Sequence, residues 1–128
     1  MNPSDLRYAK THEWVRADGD ECVIGLTRFA VDQLTDVTYI QLPAVGKKVK
    51  AGDGLGEIES VKAVSDIYAP VTGEVVAVNA ELSRDPGLVS RDPYGAGWLV
   101  RLRVEGAVES GHLMDARAYE AQVSETPH

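Results

Sequence analysis

Glu59-Ser60-Val61-Lys62-Ala63 lies between two short strand-like runs, Gly56-Glu57-Ile58-Glu59-Ser60 and Val64-Ser65-Asp66-Ile67-Tyr68. Ala69-Pro70 closes the second run, and Val71-Thr72-Gly73-Glu74-Val75-Val76 begins another. Two strands joined this tightly predict an antiparallel hairpin with Lys62 at its tip. The tip carries none of the Asn-Gly or Asp-Gly chemistry that a two-residue turn asks for. A lysine at a place that turn propensity would not choose breaks a local rule, and such breaks concentrate at functional sites. On its own, a lysine at a hairpin tip is an ordinary solvated charge, so the rest of the chain has to decide its meaning.

Outward from the hairpin the chain reads as mostly short strands. Residues 13–17 and 22–26 flank Asp18-Gly19-Asp20, a second hairpin signal. Thr27 is placed to cap a short helix over residues 28–34, with Phe29, Ala30, Gln33 and Leu34 three to four apart. Residues 37–42 are β-rich and stop before Pro43. Trp98, Val100, Leu102 and Val104 share one face of a strand, and Arg101 and Arg103 take the other, the alternation of a half-buried antiparallel strand. Asp115 caps a C-terminal helix near 115–123, with Ala118, Tyr119, Gln122 and Val123 as its stripe. The expected organisation is an N-terminal segment 1–7, one domain over 8–123, and a frayed tail over 124–128. Gly46, Val49 and Gly52 are echoed 27 residues later by Gly73, Val76 and Asn79, a weak repeat with Lys62 at its middle. From the residues alone, the fold class is a small antiparallel β domain.

Composition bounds the function. A chain of 128 residues is one domain's worth. It buries roughly two-thirds of its unfolded surface without needing a metal or a disulfide. An apolar content of 44% with moderate charge is that of a soluble globular protein. The lone cysteine, Cys22, sits in Cys22-Val23-Ile24 and reads as a small buried hydrophobe in a reducing compartment. Residues 1–7 have neither the apolar run of a signal peptide nor the arginine-rich character of a transit peptide, so a cytoplasmic location is expected. No stretch is apolar enough to span a membrane. A net charge of −7 disfavours nucleic acid as a partner. His12, His112 and His128 have no ligand spacing, so no metal site is expected.

Glu59-Ser60-Val61-Lys62-Ala63 followed by Ser65-Asp66 resembles the lipoylation motif of the glycine cleavage system H proteins. The likeness continues in family order. Tyr8-Ala9-Lys10-Thr11-His12-Glu13-Trp14-Val15 resembles the opening strand motif. Ile24-Gly25-Leu26-Thr27, Leu42-Pro43 and Val49-Lys50-Ala51-Gly52-Asp53 match the middle, and Tyr68-Ala69-Pro70-Val71-Thr72-Gly73-Glu74-Val75 the return strands. Asp92-Pro93-Tyr94-Gly95 and Gly97-Trp98-Leu99 match the late turn. The resemblance spans roughly residues 8–121, far more than one short motif. It implies a mostly β barrel-sandwich hybrid of the biotinyl and lipoyl carrier type, with short helices near 28–34 and 115–123.

The resemblance also implies a function. Lys62 would carry lipoate through an amide bond, with Glu59, Ser60, Val61 and Ala63 as the motif around it. A PLP-dependent glycine decarboxylase would load a methylamine group on the arm. A tetrahydrofolate-dependent aminomethyltransferase would unload it, dihydrolipoamide dehydrogenase would reoxidise it, and a lipoate-attaching enzyme would install it. The protein itself would be a monomeric carrier without turnover. Lysine stem and lipoyl chain give roughly ten bonds in series, a reach of about 14 Å, and tethering raises the effective concentration of the group at a docked partner. The family folds the loaded arm into a cleft, where Glu13 and Asp66 match its acidic positions. A protonated amine is a cation suited to such partners. Thr11 and His12 adjoin the same place, His12 as a hydrogen-bonded structural residue or as a tuner of local charge. Arg28 would border the cleft where the family more often has an acid or a histidine. Thr35 and Gln41 are further departures, from glycine and glutamate.

Other readings stand beside this one. A lipoyl domain of a 2-oxo acid dehydrogenase typically has Asp-Lys-Ala at its hairpin and belongs to a longer chain. A biotin carrier usually flanks its lysine with methionines, whereas Val61 and Ala63 stand here. A lipoyl relay or redox-linked H-like carrier fits the same residues. A hydrolase using Ser60 or His12 lacks any assembled constellation.

Overall fold

The computed structural model describes residues 6–9, 11–34, 36–104 and 113–125, with side chains as far as 123. Among these described residues, nine strands and four helices follow in order. They are β1 (Arg7–Tyr8), β2 (Glu13–Asp18), β3 (Glu21–Leu26), α1 (Arg28–Leu34), β4 (Val37–Gln41), β5 (Lys48–Val49), β6 (Gly54–Ser60), β7 (Val64–Tyr68), β8 (Gly73–Val78), α2 (Glu81–Arg84), α3 (Leu88–Arg91), β9 (Val100–Arg103) and α4 (Ala116–Glu125). All pairing is antiparallel, in a six-stranded sheet β1-β2-β3-β9-β8-β5 and a three-stranded sheet β4-β6-β7.

Strand alternation builds the core. On one face of the larger sheet Val15, Ile24, Val75, Val100 and Leu102 pack in a single cluster with Ile40, Leu55, Ile58 and Ile67 of the smaller sheet. The opposite face of β2 and β3 carries Trp14 and Val23, which join Leu6, Tyr8 and Tyr119 in a second, smaller cluster beneath α4. Val100, Leu102 and Val104 are buried in the main cluster, but Trp98, expected on the same face, lies before β9 begins and packs with the second cluster instead. Arg101 turns outward to Asp18 at 2.8 Å and Glu21 at 3.2 Å, as the alternation of β9 predicts. Cys22 is fully buried, and burial pushes its thiol up to about 11, so it behaves as a core side chain.

The two sheets share one centre. Lys48 pairs with Glu74 and Val49 with Gly73 in the larger sheet. In the smaller one Ile58 pairs with Ser65 and Glu59 with Val64. Each pair lies equally far, within a residue, on either side of Val61 and Lys62. The chain is thus folded back on itself about the lysine, and the weak repeat, whose offset is a constant 27 residues, does not follow from these pairings. Gly56 is needed where β6 passes β4, because a Cβ there would meet the Gln41 carbonyl oxygen at 2.2 Å. The same strand shifts register between Gly54 and Gly56, which lets both Leu55 and Ile58 face the core.

The helices correct the sequence reading in detail. Thr27 caps α1 as expected, its Oγ1 accepting the Ala30 amide at 3.3 Å. The buried face of α1 is Val31 and Leu34, however, with Gln33 exposed and Phe29 half-buried against His12. Asp115 caps α4 by accepting the Ala118 amide at 2.8 Å. Ala118 faces solvent, and Ala116, Tyr119 and Val123 supply the packing stripe. Helix α4 also includes residues 124 and 125, expected as the start of a frayed tail, because the backbone ladder continues past the last apolar contact. The one-turn helices α2 and α3, anchored by buried Leu82 and Val89, had no periodicity long enough to announce them. Among the described residues, no helix is long and apolar enough to cross a membrane, and no group of three or more His, Cys, Asp or Glu could hold a metal ion.

Candidate functional site

The lysine hairpin forms with strands at 54–60 and 64–68, leaving Val61, Lys62 and Ala63 at the tip. Its missing turn chemistry has a local answer. The Ser60 amide donates to the Ala63 carbonyl at 2.8 Å. The Ser60 hydroxyl takes the Ala63 amide at 3.2 Å and the Lys62 amide at 3.4 Å. A serine side chain thus closes the loop in place of a left-handed Asn-Gly pair. The Val61 amide donates to the Asp36 carbonyl at 3.1 Å, tying the tip to the start of β4. Lys62 is exposed, and among the described residues no carboxylate lies within ion-pair reach of its ammonium. Val61 and Val64 beside it are 68% and 57% exposed, unusual for valine and free of core duty. Glu59 stays half-buried on β6, opposite Val64.

Glu13 sits at the far end of β7. Alternation along β2 puts it on the same inward face as Val15, and only 1% of it is exposed. Its Oε1 accepts the Thr11 hydroxyl, and its Oε2 accepts the Tyr68 amide at 3.3 Å. The carboxyl therefore satisfies an amide on β7 and links the two sheets. Burial pushes it up to about 7, against the smaller opposing pull of these hydrogen bonds. Asp66 lies two residues up β7 and is exposed, with the Tyr68 hydroxyl 3.4 Å from its Oδ2. Glu13 and Asp66 thus converge on Tyr68, one through its backbone and the other through its ring.

His12, the residue before Glu13, has a left-handed φ of 77°. Its Nδ1 lies 2.6 Å from the Tyr119 hydroxyl, which lies 2.7 Å from the Thr27 hydroxyl. Desolvation holds its pKa below the ordinary value, favouring a neutral ring. The hydrogen-bonded structural role expected for His12 describes this arrangement. Nothing in the sequence joined it to Tyr119, 107 residues away.

Arg28 is engaged between α1 and α3. Its guanidinium donates to the Ser90 carbonyl at 2.5 Å and lies 3.7 Å from Asp32, while its amide donates to the Tyr94 hydroxyl at 3.0 Å. The α1–α3 contact claims the charge, so it does not compete for Glu13 or Asp66. Gln41 is exposed opposite Glu57 on β6, and Thr35 lies outside the described residues, as do His112 and His128.

Residues 6–126 match the glycine cleavage H-protein family. The chain belongs to that family. The glycine cleavage system H protein of Aeromonas salmonicida is 51% identical over 124 residues, covering 96% of each chain. That of Mycolicibacterium smegmatis is 54% identical over 127 residues, covering 96% of this chain and 97% of the relative. A crystal structure of the Mycobacterium marinum H protein aligns with a TM-score of 0.88 at 42% identity, over 96% of this chain and 99% of that one. Members of the H-protein family are the lipoyl carriers of the glycine cleavage system, and this chain has that role. Two surface cavities of this H-protein fold lie away from the lysine hairpin. The larger, of about 560 Å³, is bordered by Lys48, Glu74 and Arg103 where β5, β8 and β9 meet.

Proposed function

We propose that Lys62 carries lipoate in amide linkage, and that Glu13, assisted by Asp66, receives the protonated methylamine that the arm brings back to the surface. The observation that carries this reading is the run of β7 from an exposed lysine tip to a buried carboxyl at Tyr68. From Val64 to Tyr68 the strand covers roughly 13 Å, a length comparable to the arm's reach of about 14 Å. When bound, the lipoyl dithiolane supplies the sulfur chemistry that accepts and releases the one-carbon unit and the redox couple that follows.

The chain's own residues hold and shelter. Each Glu13 oxygen already accepts one hydrogen bond and has room for another. A carboxyl held up to about 7 is partly protonated at neutral pH. An ammonium beside it favours the charged form, so as the already protonated amine arrives Glu13 releases its own proton to solvent. Because the site is buried on the protein side, the resulting pair is only partly exposed to water, which strengthens it. Asp66, exposed on β7, adds an attractive charge at the approach. A neutral acyl cargo has no use for such an acidic end point, which favours the aminomethyl carrier over a 2-oxo acid dehydrogenase domain.

On this reading the protein is a non-catalytic, monomeric, cytoplasmic carrier. It visits the PLP-dependent glycine decarboxylase, the aminomethyltransferase, dihydrolipoamide dehydrogenase and a lipoate-attaching enzyme. Intact-mass and peptide mapping after expression with lipoate tests the assignment. One lipoyl adduct is expected at Lys62, with none on Lys62→Ala, which should keep its stability within about 0.5 kcal/mol because the site is exposed. An adduct on Lys47, Lys48 or Lys50 instead would refute it.

A further inference from the structure

We infer that Tyr119, on the C-terminal helix, is a positioning residue for the arm site: its hydroxyl holds His12 in a left-handed backbone conformation and thereby sets where Glu13 points. This rests on the reading that Glu13 receives the arm.

A side-chain-bearing residue at φ 77° is disfavoured and persists only where its surroundings over-determine it. Here they do. The His12 amide donates to the Ala9 carbonyl at 2.9 Å, and its carbonyl accepts the Thr27 amide at 3.1 Å. Phe29 lies against the imidazole with ring centres 4.8 Å apart, and the edge of Tyr119 meets it at 5.6 Å. The Tyr119 hydroxyl, 2.6 Å from Nδ1, is the polar contact that fixes the ring's rotation. Because the left-handed residue directly precedes Glu13, its dihedral sets the direction in which β2 begins. The same turn carries Thr11, whose hydroxyl holds Glu13 Oε1.

Tyr119 is itself immobilised. It is fully buried, its ring stacks on Tyr8 at 4.8 Å, and its hydroxyl also meets Thr27 Oγ1 at 2.7 Å. Thr27 in turn caps α1. Proton order is satisfied in either direction along Thr27, Tyr119 and His12, since each hydroxyl both gives and accepts. A phenylalanine would fill the ring's place equally well. The hydroxyl is therefore spent on the two residues that frame the Glu13 corner, and α4 is thereby coupled to a site at the start of β2.

The test uses the full chain without lipoate and follows the Glu13 carboxyl by NMR titration. Tyr119→Phe keeps the stacking and removes the hydroxyl. With His12 released, the carboxyl is expected to turn toward water. Its midpoint then falls from about 7 toward the ordinary carboxylate range, by about one pH unit or more. His12→Ala should produce a similar fall, and the double variant should fall no further, because both act through one contact. His12→Asn, which tolerates the left-handed region, should keep more of the native midpoint than His12→Ala. An unchanged midpoint in folded Tyr119→Phe, additive falls in the double variant, or a native midpoint already in the ordinary range each overturns the inference. If Tyr119→Phe does not fold, His12→Ala alone decides, an unchanged midpoint overturning and a fall supporting. Methylamine release from Glu13→Gln is measured separately. An unchanged rate there removes Glu13 from the proposed function while leaving the titration result to stand for Tyr119.

Discussion

Glu13 accepts the backbone amide of Tyr68 at 3.3 Å, and through that bond a buried carboxyl of the larger sheet is fixed to the strand descending from the Lys62 hairpin. Burying that carboxyl has a stability cost that depends on pH, which the hydrogen bond offsets only in part. The folded value, about 7, lies above the ordinary 4.5, so below pH 4.5 both folded and unfolded chains hold the proton and no penalty exists. As pH rises to about 7 the unfolded chain ionises first and the folded state loses relative stability; above that the penalty is constant. Glu13→Gln keeps the shape without the charge. At pH 8 it is expected to be more stable than the native chain by about 1–3 kcal/mol, with the gain vanishing near pH 4. Denaturant melts at both pH values check this, and equal stability at pH 8 would contradict it.

Ser60 offers a test of how the tip is shaped. Its hydroxyl accepts the Ala63 and Lys62 amides, so Ser60→Ala removes what replaces ordinary turn residues. The expected cost is about 0.5–1 kcal/mol, small because the amides can turn to water. A modifying enzyme that reads the tip's shape should work more slowly on Ser60→Ala and recover on Ser60→Thr. Initial rates of lipoate attachment measure this.

The hairpin, the Asp18-Gly19-Asp20 turn, the caps at Thr27 and Asp115 and the alternation of β9 were legible because each rests on neighbours within a few residues. The direction of Glu13 was also within reach, since it shares a strand face with Val15. What could not be read were contacts that tertiary folding makes. The Arg28 guanidinium finds the end of α3, which required knowing that Ser90 lies beside α1. The link from His12 to Tyr119 spans nearly the whole chain, and no period or motif encodes it. One-turn helices such as α2 and α3 are too short to leave a pattern.

Burial separates the two acidic residues of the site. Glu13 is inside the protein and Asp66 is exposed, so their charges are screened differently. Glu13→Gln is expected to hasten methylamine release from the loaded carrier severalfold. Asp66→Asn should hasten it less, and only its effect should fade with added salt. Arg28→Asp should leave release unchanged, because that side chain is engaged by Ser90 and Asp32. Release of labelled methylamine, followed at low and high salt, distinguishes these outcomes. Equal salt sensitivity of the two carboxylates would contradict the assignment.

The last prediction concerns the wall behind Glu13. Trp14, the next residue along β2, is fully buried, and its ring lies over Gly25, its partner on β3. A Cβ at Gly25 would come within 2.4 Å of two ring carbons, well inside any real contact. The ring has no easy retreat, since its Nε1 donates to the Pro93 carbonyl at 2.9 Å and Tyr94 lies beside it, ring centres 6.2 Å apart. Gly25→Ala therefore forces the ring or the strand to move. It should destabilise the chain by about 1–3 kcal/mol, the usual effect of overpacking. The lysine hairpin belongs to the other sheet, and that ring packs in the second, smaller cluster, so lipoate attachment should proceed at the native rate wherever the variant is folded. Urea unfolding paired with attachment kinetics reads both quantities. A loss below about 0.5 kcal/mol would show that Trp14 yields freely, and a slowed attachment in folded protein would show that the two sheets are not independent at this distance.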